Sequence, residues 1–228
     1  TIPEMITVGA QAQIARLSPH LEEVSARLTF TLEGEDKTWC CLGLDRYYQS
    51  VGLWKEAERC CQQALNISRE ELGEHHLSTA FSLNNTAMLY CATGHYGKAE
   101  PLSKEALEIT QNNLGRYHPA TAKNMRNLAG IYRAMGQYRT AEPLLVEALK
   151  ITQEQLGEYH LETAESLSNL AALCIEIDRF EEAEPLLLKA LEISKIELGE
   201  HHSVTARNLG KLAGIYHSLE RYEEAEPL

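Results

Sequence analysis

Long apolar runs, aromatic residues, prolines and positive charge are all scarce in this 228-residue sequence. No apolar stretch approaches the roughly 18 residues that a membrane-spanning helix requires. Thr1 to Ala15 has neither the basic start nor the apolar core of a secretory signal. Seven prolines and fourteen glycines are too few for a low-complexity chain. The 21 Lys and Arg are outnumbered by 33 Asp and Glu, a net charge of −12. That balance disfavours nucleic acid and anionic membrane as partners, because both bind basic surfaces. The six cysteines form no disulfide framework: Cys40-Cys41 and Cys60-Cys61 are adjacent pairs, and Cys91 and Cys174 stand alone. They read as small buried hydrophobes in a reducing, cytoplasmic setting. A Gly-rich phosphate loop, an HExxH pair and a nucleophile elbow are missing too, so neither an enzyme nor a cofactor is expected.

What the sequence has is a repeat. Leu72-Gly73-Glu74-His75-His76 returns as Leu114-Gly115-Arg116-Tyr117-His118, as Leu156-Gly157-Glu158-Tyr159-His160 and as Leu198-Gly199-Glu200-His201-His202. The offset is 42 residues each time, and residues 73–114 match 115–156 at 21 positions. A period of about 40 residues belongs to stacked or radial repeats. Each repeat holds two stretches of helical spacing and no alternating strand pattern. In the first, Ala80, Leu83, Ala87 and Tyr90 share a face; in the second, Ala99, Leu102, Ala106 and Ile109 do. Gly94 and Gly115 suit the helix ends. Thr79 or its neighbours are placed to cap the first helix. Pro101, Pro143, Pro185 and Pro227 fall near the start of the second, where proline is best tolerated. Alanines recur where helices must approach closely, at 87, 129, 171 and 213, at 99, 141, 183 and 225, and at 106, 148 and 190.

The series Asn85, Ala87, Tyr90, Gly94, Tyr96, Ala99, Ala106 resembles the tetratricopeptide consensus. The 42-residue period and the phrase Ala99-Glu100-Pro101-Leu102 resemble the repeats of kinesin light chains. The resemblance implies an all-α solenoid of helix–turn–helix pairs, a right-handed superhelix with a concave groove lined by the first helix of each pair. The expected organisation is a helical cap or linker over 1–36, a degenerate repeat over 37–72, repeats over 73–114, 115–156 and 157–198, and a truncated repeat over 199–228. The segment before the repeats is similar to the one preceding such repeats in multidomain signalling ATPases. The sequence lacks an initiator Met and stops in mid-repeat at Glu226-Pro227-Leu228, so a fragment of a longer protein is expected. Its Ala225/Leu228 face would then be open to dimer formation.

Rows across the repeats identify candidate groove residues. Asn85, Asn127 and Asn169 form one row that ends in Lys211, and Asn84 and Arg126 share another with Ser168 and Gly210. Asn costs roughly 0.5 kcal/mol in a helix interior relative to Ala, yet its amide both donates and accepts, as an extended peptide backbone requires. In proteins this chain resembles, Asn at this position clamps the ligand main chain; the alternative is hydrogen bonding between neighbouring helices, or persistence through duplication alone. Lys123, Arg126, Arg133 and Arg207 share that helix face. Residues 115–156 carry six basic and three acidic side chains, whereas 157–198 carry three and ten. A basic floor in an acidic protein points to an acidic peptide, and a row of mostly small residues, Met88, Gly130, Ala172 and Gly214, leaves room for a bulky side chain. Cargo peptides of kinesin light chains combine an aromatic residue with acidic flanks, so the resemblance points the same way. The expected partner is therefore a protein or peptide ligand, with a structural spacer or self-association element as the alternative. His76, His118, His160 and His202 recur once per repeat, but a ladder cannot supply the convergent ligands that zinc needs. Helix capping or hydrogen bonding between repeats is the expected role.

Overall fold

Two runs of helix formers per repeat, each stopped by a residue able to leave the helix with positive φ, dictate paired helices. The computed structural model describes residues 33–227 and has this form. The helices are α1 (Glu35–Ser50), α2 (Trp54–Ile67, continued by a π turn over Ser68–Leu72), α3 (Leu77–Ala92), α4 (Tyr96–Leu114) and α5 (Pro119–Ala134). They continue as α6 (Tyr138–Leu156), α7 (Leu161–Glu176), α8 (Phe180–Leu198), α9 (Ser203–Ser218) and α10 (Tyr222–Ala225). No strand occurs among the described residues. They divide into two compact units, with the boundary in the sequence between Ile109 and Thr110. The cap expected over 1–36 lies, as far as residue 32, outside the described residues, as does Leu228 of the terminal face.

The turn within each pair is fixed by one register position. Gly52, Gly94 and Gly136 hold φ of 77°, 77° and 72°, and Asp178 and Glu220 adopt 58° and 59° in the same place. The second helices end differently. Gly157 has φ 99° and ψ 164°, a region closed to any residue with a Cβ.

The cap of the first helix falls to histidine. Nδ1 of His76, His118, His160 and His202 accepts a hydrogen bond from the backbone N–H two residues on, at 3.1–3.2 Å. Thr79, Thr121, Thr163 and Thr205 instead bond back to the carbonyls of Gly73, Gly115, Gly157 and Gly199 at 2.7–2.8 Å, tying down the preceding loop. Pro101, Pro143 and Pro185 lie deeper than expected: Pro143 is the sixth residue of α6, past the first turn, so its missing N–H removes one intrahelical bond, whereas Pro227 follows the end of α10.

Within unit 1, Cys41, Leu42, Tyr48, Ala57, Cys60, Cys61 and Leu89 form a core. In unit 2, Ala171, Cys174, Ala183, Leu187, Leu212 and Ile215 do the same. Four cysteines thus fill core slots, while Cys40 and Cys91 are half-buried. Burial pushes the Cys41 thiol up to about 11 and raises that of Cys61 further. Asp45 occupies the register of Ala87, fully enclosed, and accepts a hydrogen bond from Gln49 at 2.7 Å; burial raises its pKa.

Candidate functional site

In unit 2 the first helices α5, α7 and α9 form a wall that carries most of the expected site residues. Arg126 is 5% exposed and therefore lies within the wall. Its guanidinium binds the carboxylates of Glu162 and Glu165 and donates to Ser166 Oγ at 3.1 Å. Arg133 is held the same way: its Nε donates to Glu176 at 3.0 Å and its Nη2 to the other carboxylate oxygen. A guanidinium taken out of water needs such partners, because its desolvation is costly. The expected basic floor is in consequence a layer of ion pairs between α5 and α7. The acidity of residues 157–198 lies partly on this wall, at Glu162, Glu165 and Glu176.

Lys123 and Arg207 stand exposed on the same wall. Lys211, which breaks the Asn row, donates from Nζ to the Ser168 carbonyl at 3.1 Å and to Ser168 Oγ at 2.7 Å. Ser168 Oγ in turn donates to Asn208 Oδ1 at 2.8 Å. Burial, reinforced by Arg133 and Arg207 and opposed by Glu176, pushes the Lys211 ammonium down to about 8.

The Asn row is half-buried. Asn169 Nδ2 donates to the Glu165 carbonyl at 2.9 Å, and in unit 1 Asn85 Nδ2 donates to the Phe81 carbonyl at 2.8 Å. One amide proton of each is committed to its own helix, and the Oδ1 acceptor lies outside that bond. Asn127 occupies the equivalent place on α5. Asn84 departs from expectation: at 7% exposure it belongs to the interior of unit 1.

Gly130 and Gly214 complete the wall beside Ala172. A Cβ built on either glycine, or on Gly210, meets nothing within 4 Å. None of the three has a positive φ. Each costs roughly 1 kcal/mol relative to Ala in a helix interior, and no neighbouring atom requires it.

Residues 46–112, 88–154, 120–196 and 162–228 each match the family model described as tetratricopeptide repeat. The chain belongs to the tetratricopeptide repeat family. Tetratricopeptide repeats are protein-interaction scaffolds as a class. No curated protein sequence matches the chain. Among solved structures, BtubC (BKLC) from P. vanneervenii is similar over 95% of this chain and 86% of its own, with a TM-score of 0.75 and 24% identity. A kinesin light chain of Podosopora anserina with nearly identical TPR-like repeats is similar over 86% and 93%, with a TM-score of 0.68 and 26% identity. A Rap protein complexed with Competence and Sporulation Factor matches over 92% of this tetratricopeptide chain and 56% of its own, with a TM-score of 0.74. At 18% identity that likeness shows the fold alone.

Among the described residues, no three His, Cys, Asp or Glu side chains gather to hold a metal ion, and no helix is long and apolar enough to cross a membrane. Reading along single helices missed Glu162, Glu165 and Glu176 as partners of the arginines. The contrast in charge between successive repeats was the available signal. It reflects cohesion between repeats as much as any ligand.

Proposed function

We propose that the wall formed by α5, α7 and α9 receives an extended segment of a partner polypeptide, which would make the chain an adaptor or sensor module. One observation carries this reading: Gly130 and Gly214 sit mid-helix beside open space, at an energetic cost that folding does not explain. A ligand main chain lying over Gly130, Ala172 and Gly214 gives those positions a purpose. The Oδ1 atoms of Asn127 and Asn169 would accept from its N–H groups. Acidic ligand side chains would pair with Lys123 and Arg207, the exposed cations, since Arg126 and Arg133 are already bound to glutamates.

Selection of binders from a random peptide library on the whole chain tests this. Acidic sequences should be enriched, and their binding should fall about tenfold or more when Asn127 and Asn169 are both changed to Ala. Gly130→Leu should abolish it by filling the space. Failure to select any sequence, or binders indifferent to all three changes, would leave the chain a spacer.

A further inference from the structure

Trp39 and Phe81 hold the same register one repeat apart, the position occupied by Lys123, Glu165 and Arg207 in unit 2. Their rings stack at a centroid distance of 4.9 Å with a tilt of 40°, and Trp39 remains 54% exposed. Beside them is a cavity of about 210 Å³ lined by Glu35, Thr38, Trp39, Leu77, Ser78 and Phe81. It is smaller than the roughly 300–1,000 Å³ usual for a small-molecule site, and its size suits one side chain.

The surroundings are acidic. Glu35 is held at the cavity by Ser78 Oγ, which donates to its Oε1 at 2.6 Å, and His76 Nδ1 lies 4.0 Å from that oxygen. Asp36 is exposed next to it, and Lys37 is tied to Glu71 at 2.7 Å. Helix formation does not require aromatics here, because charged residues serve at the same register in α5, α7 and α9. An exposed Trp beside an apolar cavity is the composition of an interface anchor.

We infer that this cavity in unit 1 takes an aliphatic or aromatic side chain of a partner peptide whose neighbouring residue is Lys or Arg. The apolar group enters between Trp39, Leu77 and Phe81. The adjacent cation pairs with Glu35 or lies over the Trp39 ring. This preference is opposite in charge to that proposed for unit 2 and does not depend on it.

The sequence contains two tryptophans, so Trp54→Phe leaves Trp39 as the sole reporter. In that background, a blocked Lys-Phe-Lys peptide should shift Trp39 emission to the blue and bind about tenfold more tightly than Glu-Phe-Glu. Added salt should narrow the difference. Glu35→Lys, at an exposed rim, should reverse the order while far-ultraviolet circular dichroism stays unchanged. Asn127→Ala with Asn169→Ala should leave the response intact, separating this site from the one in unit 2. Equal responses to both peptides, or none, would overturn the inference. So would emission that varies with protein concentration in the absence of peptide, which identifies a second copy as the occupant. A red shift on deleting residues 1–32 would assign the cavity to the chain's own N-terminal segment.

Discussion

Arg126 on α5 is bound to Glu162, in the first turn of α7, 36 residues further along the chain. The same guanidinium reaches Glu165 at 3.0 Å, so one buried cation gathers two carboxylates of the following repeat. The basic character of one repeat and the acidic character of the next are thereby turned inward as cohesion.

Replacing Arg126 with Ala should destabilise the chain by roughly 1–3 kcal/mol, through lost packing and two carboxylates left without their cation. Glu165→Gln should cost less than about 1 kcal/mol, because that carboxylate is more than half exposed and water screens the pair. Urea unfolding of the two variants measures the contrast.

Lys211 should make stability pH-dependent in the alkaline range. Its folded pKa of about 8 lies below the ordinary lysine value of 10.5. Between those values the unfolded chain binds more protons than the native one, so stability rises with pH. Below about pH 8 the full cost of the buried ammonium is present. Lys211→Met should accordingly raise stability by about 1–3 kcal/mol at pH 7, and the advantage should shrink towards pH 10. Denaturant titrations at the two pH values test the sign.

Asp178 and Glu220 occupy a left-handed turn position that glycine fills in the earlier repeats. Glycine at either should stabilise by about 0.5–1 kcal/mol. Gly157→Ala, at φ 99° and ψ 164°, should cost roughly 1–3 kcal/mol. Calorimetry should place the melting temperatures of these variants on opposite sides of the parent chain.

His118→Ala should lower stability by about 1 kcal/mol, because the N–H of Ala120 loses its acceptor at the start of α5. His118→Asn keeps a short acceptor at the cap and should recover most of the loss. Thermal unfolding of the two variants separates capping from any other use of the imidazole.

The sequence by itself determined the helices, their pairing and their register. Leu72-Gly73 and its three successors, the alanine rows and Gly94 act through local backbone preference and close packing, and a period of 42 residues with no insertion repeats each local choice. Only the tertiary structure decided what the side chains on the first-helix wall are free to do. A row read along helices shows that Arg126, Arg133 and Asn84 recur at one phase, but not which groups face them from the next helix. That facing partner left Arg126 and Arg133 neutralised by glutamates and Asn84 enclosed in unit 1. It also stacked Trp39 on Phe81 beside a cavity, where the register position alone, charged in every later repeat, gave no sign of one.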